Sequence, residues 1–208
     1  VAEEPAFDEL VTHIQLPKGR TVATARELTN NLYVIMSGQV KLVCTNQKKE
    51  ARRFVVATLA SGAIFGDGIL SIPGVPRLVA EAETAISVWQ IPASCARDMA
   101  TKYPILGLGL LQTYSERLLQ IEDNLESVAY KKLPMRLAGL LLELGNYENG
   151  IITGVIHQTL ADYLGTYRET VSALLREFKQ RGLVMLGYRR IALLDVALLK
   201  EEAGIYEW

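Results

Sequence analysis

The sequence is poor in the residues from which metal and redox sites are built. Its 208 residues include two cysteines, Cys44 and Cys95, and two histidines, His13 and His157. Because zinc and iron–sulfur sites made by cysteine need about four ligands, commonly in Cys-x-x-Cys spacing, we predict neither. Two isolated cysteines fit a reducing cytoplasm and are interpreted as small buried apolar residues, with a redox switch between them as the alternative. We expect no metal and no cofactor.

The sequence also lacks a charge excess, a long apolar run and an enzyme motif. Lys and Arg number 22 and Asp and Glu 23, so the formal net charge is −1 and any nucleic-acid-binding patch must be local. Neither a membrane-spanning run nor a signal peptide is visible, so we expect a cytoplasmic protein with no membrane partner. We find no nucleophile–base pair, no phosphate-binding glycine loop and no metal cluster, and we expect no enzyme activity.

Residues 1–103 have the pattern of a β domain. Runs rich in β-branched residues, among them 32–36, 54–59 and 86–91, are cut at short intervals by Gly, Asn and Pro. This pattern is typical of an all-β sandwich or barrel, and no helical periodicity of comparable length lies between residues 19 and 92. Because helical patterns follow, the chain is predicted to be α+β and to divide into three domains, 1–103, 104–133 and 134–208.

Residues 104–133 are predicted to form one long helix, with Pro104 in its first turn. Apolar residues recur along it at alternating spacings of three and four, which is the heptad pattern of a helix that pairs with another helix. The simplest partner is the same helix of a second copy, so we predict a two-fold homodimer; the alternative is that this face packs on its own β domain. The predicted dimer residues are Leu111, Tyr114, Leu118, Ile121, Leu125 and Val128.

Residues 157–181 have the spacing of a helix-turn-helix. Ala161 falls where the two helices cross and a small residue is needed, and Gly165 falls in the tight turn, where glycine accepts a left-handed backbone. Val171 falls where an apolar side chain holds the second helix against the first. The second helix is predicted over residues 167–181.

The second helix carries side chains that can read DNA bases. Arg forms two hydrogen bonds with the guanine edge, Glu accepts from cytosine, and the N-terminal residues of a recognition helix reach the bases. Residues 168–190 hold six basic and two acidic residues, an excess that favours phosphate contact. The alternatives are a solvated helix face and a helical hairpin of no special function. The predicted DNA-binding residues are Arg168, Glu169, Ser172 and Arg176 on the helix, and Arg189 and Arg190 in the hairpin that follows.

The order of these parts resembles the transcription regulators of the cyclic-AMP receptor protein and fumarate-nitrate regulator (CRP/FNR) family. Residues 165–171, Gly-Thr-Tyr-Arg-Glu-Thr-Val, are similar to the family's Gly-x-x-Arg-Glu-Thr-Val signature, and Tyr167 within them is counted as DNA-binding. The resemblance implies a cyclic-nucleotide-binding-like β-roll, a dimerisation helix and a C-terminal winged helix-turn-helix. It also implies a homodimer that binds double-stranded promoter DNA, contacts RNA polymerase and acts as an activator.

The resemblance further implies roles for single residues of the motif. Arg168 and Glu169 correspond to the family's guanine and cytosine readers, and Thr170 and Gln158 correspond to phosphate contacts. Ala173 stands where the family member that reads a TGTGA half-site has a second arginine. A TGTGA-like half-site is therefore expected, with the readout of one base pair in question.

The N-terminal half resembles the family's cyclic-nucleotide pocket at Gly66, Asp67 and Arg77, where the arginine binds the cyclic phosphate. Here Asp replaces Glu, Leu78 replaces a phosphate-binding Ser, and residues 121–122, Ile-Glu, replace a Thr-Ser pair that contacts the adenine. A lost hydroxyl in a buried polar site removes hydrogen bonds that an apolar group cannot replace. We therefore expect DNA binding that does not depend on cyclic AMP, with Asp67 and Arg77 as a structural ion pair. The alternative is a regulator whose β-roll binds a cyclic nucleotide or another small effector.

Overall fold

The computed structural model describes residues 11–45, 53–66, 78–146 and 150–205. The chain divides into two compact units, the first made of residues 1–51 and 55–122 and the second of residues 52–54 and 123–208. Strands predominate in the first unit and helices in the second. The fold is α+β, which confirms the prediction.

Eight strands lie between Thr12 and Pro92 within the described residues. They are β1 (Thr12–Leu16), β2 (Thr21–Ala23), β3 (Asn31–Ser37), β4 (Val40–Thr45), β5 (Arg53–Leu59), β6 (Ile64–Phe65), β7 (Leu78–Ala82) and β8 (Ile86–Pro92). They form two four-stranded sheets, with the strand orders β1-β8-β3-β6 and β2-β7-β4-β5.

The core of the first unit lies where buried residues of the two sheets meet. Ile35 of β3, Leu42 of β4 and Val88 of β8 belong to one buried cluster. Tyr33 stacks on Phe65 in the same cluster, with 4.9 Å between the ring centroids. The β-branched runs therefore form the strands that their pattern predicts, because alternate residues of each run reach this core.

The first unit also contains a short helix, which the search for helical periodicity between residues 19 and 92 did not indicate. Helix α1 (Ala25–Asn30) begins with a capping box, in which Thr24 Oγ1 accepts from the main-chain N of Glu27 and Glu27 Oε2 accepts from that of Thr24. Glu27 Oε2 also accepts from the hydroxyl of Thr24, and the bonds that it accepts from the main-chain N and from this hydroxyl lower the pKa of Glu27. Six residues make under two turns, so the helix is too short to show periodicity, and the Thr-x-x-Glu spacing is its only signal.

Two further helices follow the strands. They are α2 (Ala93–Lys102) and α3 (Pro104–Tyr130), the second of which lies inside the predicted range 104–133. On α3, Leu110 packs against a buried cluster of Leu32, Ile91 and Ala96, so one side of the helix covers the roll. Among the described segments, no helix has both the length and the apolar character that a membrane crossing requires.

Tyr114 differs from the other five predicted dimer residues. Its hydroxyl donates to the carbonyl oxygen of Gly66 in the same chain, at 2.9 Å. This contact agrees with the alternative reading for this residue, in which part of the heptad face packs on its own β domain. The others present their side chains to solvent in the single chain: Leu111, Leu118, Ile121, Leu125 and Val128.

The second unit combines four helices and a three-stranded sheet within its described residues. In chain order these are α4 (Leu133–Asn146), β9 (Ile151–Thr153), α5 (His157–Leu164), α6 (Arg168–Gln180), β10 (Val184–Gly187), β11 (Arg190–Leu193) and α7 (Val196–Glu202). The strand order is β10-β11-β9. Leu137 and Leu141 of α4, Leu160 of α5 and Leu175 of α6 are fully buried in one core. Helices α4, α5 and α6, with the three-stranded sheet, make a winged helix-turn-helix, as predicted.

Candidate nucleic-acid interface

The turn between α5 and α6 follows the predicted spacing. Gly165 caps α5 in the left-handed conformation, with φ 64° and ψ 36°, which only glycine adopts without strain. Ala161 and Val171 are completely buried at the helix contact. The main-chain N–H of Thr166 donates to the carbonyl of Ala161 at 3.0 Å, so the turn closes on the small residue itself.

Arg136 on α4 holds the end of α5 and was not among the predicted site residues. Its Nη2 donates to the carbonyl oxygen of Leu164 at 3.0 Å, which satisfies a carbonyl that has no partner within its own helix. Burial lowers the pKa of this guanidinium. The contact is long-range, so no local pattern in the sequence indicates it.

The outer face of α6 carries the predicted base readers. The helix spans Arg168–Gln180, one residue shorter at each end than the predicted 167–181, with Tyr167 and Arg181 as its caps. Arg168 and Glu169 are exposed in its first turn, where a recognition helix reaches bases. The side chain of Tyr167 makes no capping hydrogen bond with the main-chain N–H groups of the first turn. The positive N-terminal end of the helix can therefore attract an anion.

Ser172 lies on the same helix but is not a free solvent-facing hydroxyl. Its Oγ donates to the carbonyl oxygen of Arg168 at 2.8 Å and lies 2.7 Å from Nδ1 of His157. The predicted base-contacting role of Ser172 therefore competes with two internal bonds. His157, the first residue of α5, lies in the predicted helix-turn-helix but was not among the predicted DNA-binding residues.

Gln158 and Arg176 are exposed, and each makes one internal hydrogen bond. Gln158 Nε2 donates to Asp162 Oδ1 at 2.7 Å, and Arg176 Nε donates to the carbonyl of Ser172 at 3.1 Å. These bonds hold the stems of both side chains along their helices. An amide donates two hydrogens and a guanidinium five, so both side chains keep donors for phosphate.

The predicted hairpin is the wing formed by β10 and β11. Its two-residue turn consists of Tyr188 and Arg189, and Arg189 has a φ of 48°, which is unusual for a residue other than glycine. The carbonyl of Arg189 accepts from the main-chain N of Gly154 at 2.9 Å, which fixes the turn to the end of β9. Tyr188 is 93% exposed at the tip and was not among the predicted site residues. Arg190, the first residue of β11, is also exposed.

A cleft of about 520 Å³ lies between the wing and the helix-turn-helix. The predicted residues Gln158, Arg168, Arg189 and Arg190 line it together with His157, and no carboxylate appears in the lining within the described part of the chain. Three guanidinium groups without an acid make the cleft attractive to an anion such as a backbone phosphate.

One of the six basic residues counted in the sequence does not contribute to this charge. Arg181 lies 2.6 Å from Glu202 Oε2 on α7 and 3.7 Å from Glu177 Oε1, so two acids neutralise it. Glu202 lies outside the range in which charges were counted. The positive charge at the site therefore comes mainly from Arg168, Arg176 and the wing.

The predicted effector residues can be placed only in part. Gly66 lies at the end of β6 with φ 107°, and a Cβ there would meet the carbonyl oxygen of Asn31. Only glycine fits this position, whatever the roll binds. Asp67 and Arg77 lie outside the described residues. Within the described part of the chain, no cluster of His, Cys, Asp or Glu could hold a metal ion.

Two family models match the chain. Residues 135–202 match the Crp-like helix-turn-helix domain, and residues 13–103 match the cyclic nucleotide-binding domain. These ranges correspond to the winged helix-turn-helix and to the two-sheet unit.

Relatives with similar architecture are known over most of the chain's length. The chain is 25% identical over 205 residues to a CRP-like cAMP-activated global transcriptional regulator of Mycobacterium tuberculosis, covering 95% of this chain and 91% of the relative. It is 27% identical over 187 residues to the cyclic AMP receptor protein of Thermus thermophilus, covering 90% of this chain and 86% of the relative. A structure from Eubacterium rectale, described as a regulator of the crp/fnr family, shares the fold with a TM-score of 0.84 at 22% identity, covering 95% of this chain and 91% of that one.

Proposed function

The chain belongs to the CRP/FNR family of transcriptional regulators, whose members are not enzymes, and from this premise we propose that it is a homodimer that binds a palindromic promoter site. One observation carries the proposal. Arg168 and Glu169 stand exposed in the first turn of α6, beside a cleft lined by arginines of both the helix and the wing. Base readers next to phosphate binders are what sequence-specific recognition needs.

The residues divide into two roles. Arg168 reads guanine through two hydrogen bonds and Glu169 accepts from cytosine, and both act in the major groove. Gln158, Thr170 and Arg176 contact the backbone beside the recognition helix. Tyr167 and Ser172 are assigned to the same DNA strand. Arg189 and Arg190 contact the DNA backbone from the wing. The base readers determine which DNA sequence is bound, and the backbone contacts determine the register and much of the affinity.

Dimerisation follows from the apolar face of α3. Leu118 and Leu125 are 56% and 66% exposed in the single chain, and they lie seven residues apart on one side of the helix. Covering such side chains against a second copy removes apolar surface from water. One recognition helix per subunit then implies two half-sites about one helical turn apart, roughly 34 Å.

The biological setting follows from the same role. We place the protein in the cytoplasm, where the chromosome is, and we propose that it activates transcription by contacting RNA polymerase next to its operator. A TGTGA-like half-site is the starting candidate, with one base pair read differently because Ala173 cannot hydrogen-bond to a base.

We also propose that operator binding does not need cyclic AMP. Leu78 at the start of β7 and Ile121 on α3 are apolar where the nucleotide would need hydroxyl groups, and Glu122 beside Ile121 repels a phosphate. A second candidate is a regulator whose roll binds a cyclic nucleotide or another small effector. The match of residues 13–103 to the cyclic nucleotide-binding domain favours it.

The experiment that tests the function is selection of bound DNA from a random pool by the full-length dimer. The expected result is a two-fold symmetric consensus whose affinity falls as salt rises, because bound phosphates release counterions. Repeating the selection with cyclic AMP tests the second candidate for this nucleotide, since enrichment that appears only with cyclic AMP would favour it. Failure to enrich any sequence, at low salt and with or without the nucleotide, would contradict the proposal.

A further inference from the structure

His157 lies in the cleft with a defined hydrogen-bonding pattern. Its Nδ1 is 2.7 Å from Ser172 Oγ, and Ser172 Oγ donates its own hydrogen to the carbonyl of Arg168 at 2.8 Å. A hydroxyl has one hydrogen to give, so Nδ1 must be the donor in the first of these bonds. The neutral ring therefore carries its hydrogen on Nδ1, and Nε2 has a bare lone pair.

The charged groups around this ring are positive. The positive charges of Arg168 and Arg176 on α6 disfavour a positive charge on the ring. Arg189 and Arg190 of the wing line the same cleft. The acid on its own helix is Asp162, whose Oδ1 accepts from Gln158 and whose Oδ2 lies 3.4 Å from Nε of Arg53. Burial, followed by the two arginines of α6, lowers the pKa of His157 below its usual value. Near neutral pH the free protein therefore holds this ring uncharged.

We propose that His157 is a proton-linked phosphate ligand: when the DNA backbone occupies the cleft, the ring takes a proton from solvent on Nε2 and donates it in a hydrogen bond to a phosphate oxygen. The inference rests on the proposed function, because it needs DNA in the cleft. Nδ1 keeps its bond to Ser172 in both states, so uptake of the proton requires no rotation of the ring. The ring thus donates to a phosphate only when DNA is bound, because only then is Nε2 protonated.

The direction of the pH dependence follows from the charges. A phosphate is negative and offsets Arg168 and Arg176, so the pKa of His157 is higher in the complex than in the free protein. The complex then binds more protons, and affinity must rise as pH falls through the interval between the two pKa values. The gain is limited to about tenfold per pH unit for each proton taken up, with one proton per subunit.

Fluorescence anisotropy at constant ionic strength tests this with a duplex that the protein itself has selected. Affinity of the wild-type dimer should rise at least about threefold from pH 8 to pH 6. In His157→Gln, which cannot titrate, this rise should be absent. His13→Gln is the matched control, because the chain has two histidines and His13 bonds to Ser87 in the roll. It should keep the wild-type slope.

Nitrogen NMR of the wild-type protein provides a second measurement that does not depend on the variant folding. In free protein at pH 8, His157 should show hydrogen on Nδ1, and its pKa should rise on addition of the duplex. A hydrogen on Nε2, an unchanged pKa or equal slopes for wild type and His157→Gln would each overturn the inference. None of these results would affect the proposed function, which fails only if the wild-type protein selects no DNA.

Discussion

The hydroxyl of Tyr114 on α3 donates a hydrogen bond to the main-chain carbonyl of Gly66, with 2.9 Å between Oη and O. Gly66 directly follows β6, so the bond fixes the helix to the end of a core strand. The remainder of the predicted dimer face stays exposed in the single chain. Within the described residues, Tyr114 is thus the one residue of the predicted dimer face that bonds to the β domain, and the exposed residues of this face are available to a partner.

Tyr114→Phe should weaken the attachment of α3 without changing the dimer. The substitution removes only the hydroxyl and leaves the carbonyl of Gly66 without this partner, so the free energy of unfolding should fall by about 0.5–1.5 kcal/mol. Urea denaturation measures the loss, and analytical ultracentrifugation measures the mass. A shift to monomers would instead show that Tyr114 belongs to the dimer contact.

The sequence predicts the helix-turn-helix well because its rules are local. A small residue, a left-handed glycine and an apolar residue at fixed spacings determine how two consecutive helices cross, and Ala161, Gly165 and Val171 occupy those places in the structure. What it could not predict are contacts between distant residues. The bond from Arg136 to Leu164 and the ion pair of Arg181 with Glu202 depend on how α4 and α7 pack, which no local spacing encodes.

The same limit applies to the internal bonds of Ser172 and His157. The helical periodicity places Ser172 on the polar face, but its short side chain turns back to the carbonyl four residues earlier, as serine often does within helices. His157 begins the helix-turn-helix segment and precedes the predicted phosphate contact Gln158, but the sequence does not show that its ring bonds to Ser172. The bond joins residues 15 apart on two helices, so it depends on the folded positions of both side chains.

Replacing Leu118 and Leu125 together by Glu should produce monomers that bind DNA weakly. Both side chains lie on the heptad face, and four carboxylates at one helix contact repel each other while apolar burial is lost. Leu119→Glu is the matched control, because Leu119 is 59% exposed but lies off this face. It should remain dimeric in analytical ultracentrifugation. An unaltered dimer mass for the double variant would mean that the subunits associate elsewhere.

Arg168→Ala should reduce affinity for the selected operator by roughly 1–3 kcal/mol and relax specificity at one G·C pair per half-site. Arg190→Ala should instead weaken binding to all duplexes alike and flatten the salt dependence, because a lost phosphate contact carries no sequence information. Competition between operator and random duplex measures both effects. Equal loss on the two duplexes for Arg168→Ala would contradict its assignment as a base reader.

Gly165→Ala should destabilise the second unit by about 1–2 kcal/mol, since a left-handed conformation brings Cβ close to the next carbonyl. The matched control is Gly139→Ala in the interior of α4, where an added Cβ meets nothing within 4 Å. That substitution should stabilise the protein by about 0.5–1 kcal/mol, because alanine favours helix more than glycine does. Urea denaturation of both variants compares them. A Gly165→Ala variant as stable as the wild type, or more stable, would show that the turn does not require glycine.

The last prediction concerns cyclic AMP. A ligand can shift a conformational equilibrium only by its differential affinity for the two states. Ile121 is 39% exposed in the single chain and lies on the heptad face, so pairing of two α3 helices would bury it in both subunits. Full burial of an isoleucine side chain stabilises by roughly 1.5–3 kcal/mol, so burying the exposed part of Ile121 contributes roughly 0.6–1.2 kcal/mol in each subunit towards what a nucleotide would otherwise contribute.

We therefore expect the purified dimer to bind its operator without nucleotide and saturating cyclic AMP to change the affinity less than about twofold. Fluorescence anisotropy with and without the nucleotide measures this. Ile121→Thr should weaken binding in the absence of ligand, because a hydroxyl replaces the apolar contact, whereas Leu119→Glu should not. Tight binding that appears only with cyclic AMP would contradict the prediction. It would instead assign Gly66, Asp67 and Arg77 to a working nucleotide site.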